Sequence, residues 1–448
     1  MSNYLFDEFN GITPAEWKQK IQVDLKGADY NETLLWTTNE GITVKPFYTK
    51  EDRTNTLINN SEKGFDICLS IQINLETTAN KTAIDALKKG ATAIEFVALK
   101  KFDYQTVLKE IDFSKTTIYF NFSFLDAKFT QEVANFTNSK NCFFNIDIIG
   151  NLASTGNWYS NLKNDHAELE KIATSVSNSI CINATTYQNA GANSVQQLAY
   201  ALAHANEYLN HFGKDAAKNI HFNFSVGSNY FFEISKLRAF RILWNTLLKE
   251  YNTEANSHIF AQPSLRNKTL YDYNVNMLRT TSESMSAILG GADTVCNISY
   301  DKIFHEPNEF GERISRNQLL ILQQESELAT AQNFADGAYY IETITEQLSQ
   351  KALEVFKSIE KGGGFLKQLK EGIIQRKITE SATKEQAQFD NGTLVLLGTN
   401  KIKNEEDKMK HDLQIHPFVK MRNQKTLLQP IIQKRLAEKL EQERLKDE

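Results

Sequence analysis

Eight short strand-like runs, each followed by a stretch with helical periodicity, occupy the middle of this sequence. The runs are Asp66–Asn74, Ala93–Ala98, Thr117–Phe124, Phe143–Ile148, Ile180–Thr185, Ile220–Val226, His258–Gln262 and Thr294–Ser299. Between them lie amphipathic stretches such as Thr77–Lys89, Asn161–Ser177, Ser194–His211, Tyr230–Lys249 and Asn274–Leu289, and Glu309–Ala331 follows the eighth run. Apolar residues recurring at period two mark strands, and at period 3.6 they mark helices. Eight such units over this length predict an α/β fold, a (β/α)8 TIM barrel. An open doubly wound sheet is the structural alternative, but no Gly-x-Gly-x-x-Gly turn follows the first run.

The alternation inside the runs says more. Ile67, Leu69, Ile71 and Ile73 alternate with Cys68, Ser70, Gln72 and Asn74. Phe120, Phe122 and Phe124 alternate with Tyr119, Asn121 and Ser123, and Asn145 and Asp147 with Phe144, Ile146 and Ile148. Asn183 and Thr185, then His221, Asn223 and Ser225, continue the arrangement. With period two, one set faces the surrounding helices and the other the barrel axis. The apolar set belongs under the helices, so the axis is expected to carry small polar groups, where an ordinary barrel packs branched apolar ones. Unpaired buried polar groups cost roughly 1–3 kcal/mol each. Either a polar ligand or water threads the axis, or the side chains satisfy one another as a plug; the pattern leaves both open.

Residues 66–335 thus form the expected barrel domain, with an N-terminal arm over 1–65 and a helical C-terminal extension over 336–448. In the arm, Thr13 and Pro14 read as N-cap and first helical position of a helix reaching about Leu25. Trp36, Phe47 and Tyr48 sit in loop-like sequence that packs on a partner or on its own domain. In the extension, a helix over Thr345–Lys361 stops at Gly362–Gly364, a second runs to about Arg376, and Leu427–Leu445 reads as an exposed amphipathic helix whose charges form a solvated face or a subunit contact.

A net charge of −5 argues against a nucleic-acid partner, and Lys100 and Lys101 read as a solvated face. No apolar run approaches the roughly 20 residues a membrane span needs. Met1–Phe9 has no signal-peptide pattern, so a cytoplasmic location is expected. Cys68, Cys142, Cys181 and Cys296 are far apart, form no Cys-x-x-Cys pair, and read as buried reduced thiols.

Tyr271–Glu283, followed by Gly290–Asp293, Arg313–Glu325 and Asp336–Glu342, closely resembles the barrel domain of the adenosylcobalamin-dependent acyl-CoA mutases, centred on methylmalonyl-CoA mutase. Asn189–Ala192 with Gln196 and Gln197, and Phe231–Arg238, match two further segments, so the resemblance covers roughly Asp66 to Gly364. Trp17 and Val23–Gly27 are similar to the opening of the small subunit in the family's two-subunit bacterial members. The resemblance implies a barrel whose polar axis passes the pantetheine arm of coenzyme A, and an isomerase complex interconverting methylmalonyl-CoA and succinyl-CoA.

Departures from the family pattern imply a supporting role. The family's cobalamin domain carries an Asp-x-His-x-x-Gly segment whose histidine ligates cobalt. No such segment occurs here: His305 is preceded by Lys302 rather than aspartate, and Asp412 and His416 are wrongly spaced. No cobalamin-binding domain and no metal site are therefore expected. The family's active-site histidine falls on Thr186, an imidazole position on Phe260, and a serine position on His221. Thr186 keeps a donor but loses the imidazole's reach and acid–base range. The tyrosine- and arginine-rich segment before the first strand is also shortened. Gln262 and Glu283 match positions near the cofactor mouth, as remnants that would serve as structural hydrogen-bond partners; Arg279, Arg313 and Arg316 would anchor helices and loops. His221 and Phe260 would narrow the axis and plug it. The expectation is a chain without catalytic residues or bound cofactor, forming a heterodimer with a large catalytic subunit that holds adenosylcobalamin. The alternative is an active mutase barrel pairing with a separately encoded cobalamin-binding protein. A free-standing thioester-binding module has only the polar axis behind it.

Overall fold

Strand pairing runs round a nearly closed ring. The computed structural model describes residues 8–53, 58, 64–330, 333–419 and 424–448; residues 1–7, 54–57 and 59–63 of the expected arm, and Ala331 at the end of the expected last helix, lie outside the described residues. Its parallel strands are β1 (Asp66–Gln72), β2 (Ala93–Ala98), β3 (Thr117–Phe122), β4 (Cys142–Phe144), β5 (Ile180–Asn183), β6 (Ile220–Val226), β7 (His258–Pro263) and β8 (Thr294–Cys296). They follow the order β4-β3-β2-β1-β8-β7-β6-β5, with Cys68 of β1 opposite both Ala93 and Cys296. The first and last strands are therefore neighbours, and the fold is the α/β barrel that the sequence predicts.

The seam of the barrel lies between β4 and β5, where no ladder joins the described residues. Cys181 N–H donates to Ile146 O and Phe144 N–H to Asn178 O, both at 2.9 Å. Asp147 completes the closure: Asn183 N–H donates to its carboxylate at 2.9 Å, Gly150 N–H at 2.7 Å and Tyr208 Oη–H at 2.8 Å, while His204 Nε2 lies 2.9 Å away. Asp147 was expected to line the axis in the fourth strand. That strand instead ends at Phe144, and Asp147 caps the helix Ile148–Thr155. The fifth run is likewise shorter, because Thr185 starts a one-turn helix, Thr185–Asn189.

The apolar faces of the strands, including Ile67, Leu69, Phe96, Phe120, Phe222 and Phe224, are buried against the helical layer. Its longest members, Ser194–Phe212 and Tyr230–Glu250, are crossed from outside by Tyr339–Lys361. Asn193 opens the first with a reciprocal capping box to Gln196. All four cysteines are buried and free, and no described helix is long and apolar enough to cross a membrane.

The arm divides in two. Its helix, Pro14–Asp24, buries no residue and exposes Trp17 and Val23. The following hairpin, Trp36–Thr37 with Thr43–Val44, lies on the chain's own barrel. Asn39 exchanges side-chain bonds with Gln388, Ser194 N–H donates to Glu40, and Arg53 pairs with Glu342 at 3.2 Å. The Trp36 and Tyr48 rings meet Phe232 and Tyr340.

The C-terminal extension departs most from expectation. Helices span Phe365–Lys370, Ile373–Asp390 and Glu438–Asp447, but no described residue between Asp390 and Glu438 is helical. The expected helix over Leu427–Leu445 therefore starts eleven residues late. Its first part is held extended by barrel loops: Leu427 N–H donates to Gly156 O, Ile431 to Ala153, Lys434 to Asn189 and Leu436 to Arg266. Nor are its charges all solvated, since Glu441 is fully buried and pairs with Arg435 at 2.7 Å.

Candidate functional site: the barrel axis and its mouth

The lower axis is closed by rings. Tyr119 Oη lies 2.7 Å from both His258 Nε2 and Thr294 Oγ1. Phe143 stacks on His258 with centroids 4.2 Å apart, Phe260 meets Tyr119 edge-on at 4.8 Å, and His221 meets Phe143 at 5.4 Å. Cys68, Ala93 and Cys296 fill the space between them. Side chains from β3, β4, β6 and β7 thus form an aromatic floor, where the alternation pattern had suggested small polar groups. Below it, Asp66 accepts from Thr92 and Thr117 hydroxyls.

Above the floor the axis is polar. His221 Nε2 bonds Asn145 Oδ1 at 2.9 Å; a carbonyl oxygen can only accept, so His221 carries its proton on Nε2. Asn145 and Asn121 then donate to Glu95 Oε1, at 3.4 and 3.2 Å. Ser70, Asn121, Asn145, Asn183 and Gln262 keep partial exposure although their strands lie beneath the helical layer. Side chains therefore do not fill the upper axis completely, and the space they leave is a polar well beneath the mouth.

Burial pushes the His221 imidazole down to about 3. The unfolded chain would bind a proton below about pH 6.5, whereas the folded chain would not until near 3. Stability should therefore fall with pH in that window, by about 1.4 kcal/mol per unit from this residue. Urea unfolding of wild type and His221→Gln at pH 7, 6 and 5 should show a shallower loss in the variant. Parallel slopes would refute the assignment.

The residues singled out in the sequence do not converge. Thr186 is buried in the Thr185–Asn189 turn of helix. Gln262, the residue before the last of β7, pairs with Ser225 on the polar face of the strand. Glu283, on the helix Val275–Leu289, is sealed away: Lys268 Nζ reaches its two oxygens at 3.0 and 2.7 Å, and Asn267 donates at 2.6 Å. Burial pushes the Lys268 ammonium down and the Glu283 carboxyl up, each against the pull of the other. Arg279 ties Thr269, Asn276 and the Leu397 carbonyl together, Arg316 is buried, and Arg313 lies exposed 3.9 Å from Glu309.

Periodicity did not reveal what covers the mouth. Arg435 donates to Lys268 O at 2.9 Å and Leu270 N–H to Glu441 at 2.8 Å, so the tail lies over the loop after β7. Beside it, the Trp36–Glu40 hairpin, Arg266, Glu385 and Asn229 enclose a cavity of about 310 Å³. Lys236 beneath it donates to Gln188, Gln197 and Ser225 O and pairs with Glu233. The only sequence signal for these sites is the presence of Lys and Glu within otherwise apolar helix and loop segments. Both nitrogens of His305 are engaged, by Asp301 and Asp412 at 3.2 Å each. Among the described residues, no group of three or more His, Cys, Asp or Glu could hold a metal ion.

Comparison with known proteins places this geometry. The family model described as methylmalonyl-CoA mutase matches residues 46–447. The methylmalonyl-CoA mutase small subunit of Porphyromonas gingivalis is 32% identical over 89% of this chain and 71% of its own length. The chain belongs to the methylmalonyl-CoA mutase family. The methylmalonyl-CoA mutase of Rhizobium meliloti is 36% identical over 53% of this chain, and the human mitochondrial enzyme 34% identical over 51%. The matches span 35% and 32% of those two family members, about a third of their length.

Proposed function

We propose that the chain is the non-catalytic small subunit of an adenosylcobalamin-dependent methylmalonyl-CoA mutase, paired in the cytoplasm with a large catalytic subunit that interconverts methylmalonyl-CoA and succinyl-CoA. The aromatic floor carries this reading. Tyr119, Phe143, His258 and Phe260 meet across the path that a pantetheine arm would need. Three further features support it. A threonine, Thr186, stands where catalytic relatives are expected to have an imidazole. The family uses adenosylcobalamin, but the residues here do not fit it: Glu283 is consumed by Lys268 and Asn267, and both nitrogens of His305 are engaged. The arm helix exposes Trp17 and Val23, and Ile12 just before it is exposed as well, apolar surface suited to a partner.

An active barrel served by a separately encoded cobalamin protein is the second reading, favoured by the partly exposed Gln262 on the polar face of β7. Affinity purification of the tagged chain from its native host separates the two. A stoichiometric larger chain carrying corrinoid is the expected result. A small corrinoid protein would carry the second reading, and recovery of neither would overturn both. Coenzyme A should show no saturable binding to the chain in calorimetry.

A further inference from the structure

Glu95 lies in the barrel interior, 6% exposed, and among the described residues receives only the two long amide bonds from Asn121 and Asn145 and no lysine, arginine or histidine. Buried carboxylates are seldom left without a compensating cation. The Glu233, Glu283 and Glu441 carboxylates of this chain follow that rule, paired with Lys236, Lys268 and Arg435. The same interior holds three orphaned atoms on the inward face of β6: His221 Nδ1, Asn223 Oδ1 and Ser225 Oγ, all buried and without a partner. Two of them are pure acceptors, because His221 carries its proton on Nε2 and an amide oxygen cannot donate. The nearby Lys236 does not supply the missing charge, since Glu233 already neutralises it.

We infer that the well above the aromatic floor binds a small primary ammonium ion, whose N–H groups are taken up by Glu95, Asn223 and Ser225. An anion is excluded by the Glu95 carboxylate. A transition-metal ion would want three or more His, Cys, Asp or Glu ligands, and no such group is present among the described residues; potassium in the test below reports on a hard monovalent cation. An ammonium head supplies three donors and one positive charge, which matches a carboxylate and a ring of unpaired acceptors. Ser70, Asn183 and Gln262, partly exposed above Glu95, leave room for such an ion in the well. The site goes beyond the supporting role proposed above and does not depend on it.

The test is calorimetric titration of the full chain with methylammonium chloride, against tetramethylammonium and potassium chlorides at matched ionic strength. Saturable binding of methylammonium alone is expected, weakened at least about tenfold in Glu95→Gln and severalfold in Ser225→Ala. No saturable binding to the wild type, equal binding of tetramethylammonium or potassium, or unchanged binding in folded Glu95→Gln would overturn the inference. If Glu95→Gln does not fold, unchanged binding in Ser225→Ala overturns it instead. A coenzyme A titration of the same sample reports on the proposed supporting role separately.

Discussion

Replacing Asp147 with alanine is expected to lower the unfolding free energy by about 4–6 kcal/mol, most of the margin of an ordinary domain. The substitution strands Tyr208 Oη, Asn183 N and Gly150 N, all of which donate to this one carboxylate, and removes the group 2.9 Å from His204 Nε2. Each buried donor left unsatisfied costs on the order of 1–3 kcal/mol. The loss falls where the barrel is weakest, since no ladder joins β4 to β5. Asp147→Asn, which keeps one acceptor oxygen, should lose about half as much. Urea unfolding followed by far-ultraviolet circular dichroism measures both. A cost below about 1 kcal/mol for alanine would mean that the flanking backbone bonds hold the seam unaided.

The second large effect concerns a pair whose members need each other more than the fold needs them. Lys268→Met should cost about 3–5 kcal/mol, because it leaves the Glu283 carboxylate buried without its cation. Adding Glu283→Leu to that variant should restore stability to within about 1 kcal/mol of wild type, as apolar replacements of buried ion pairs commonly do. A double-mutant cycle read by the same unfolding assay gives the coupling directly. Additive single effects would show that Glu283 has another partner of comparable weight.

The strands were legible because burial on one face imposes period two, and Ala93–Ala98 and Ile220–Val226 agree end for end with the runs seen in the sequence. Boundaries failed where a polar side chain took a backbone partner. Asp147 continues the alternation of Asn145, yet its carboxylate caps Gly150 and ends strand character before it. The polar upper axis was legible too, and Phe260 and His221 stand out as narrowing residues, but the rings that join them into a floor do not. Tyr119, Phe143, His258 and Phe260 come from three strands, and nothing local shows that their rings meet. The tail differs from its expected form for a related reason. Arg435 and Glu441 look like an exposed i, i+6 charge pattern, and only the loop after β7 makes them a buried pair. Of the candidate site residues, Gln262 lies in the well but Glu283 does not, since helical periodicity does not show which neighbour a buried carboxylate will face.

The tail that lies over the mouth also sets a clock on synthesis. Leu270 and the Glu441 carboxylate that receives its N–H are separated by 171 residues, and Arg266 is separated from the Lys434 carbonyl it bonds by 168. At ribosomal rates of about 5–20 residues per second, the loop after β7 waits roughly 10–30 s for its partners to be made. Once β8 (Thr294–Cys296) has followed, early in that interval, all the barrel strands exist while Lys268 and Leu270 remain untied at their mouth. The nascent chain therefore passes through a stage with a complete ring and an unlatched rim, in which the loops over the well are free to meet another molecule before the chain's own tail arrives.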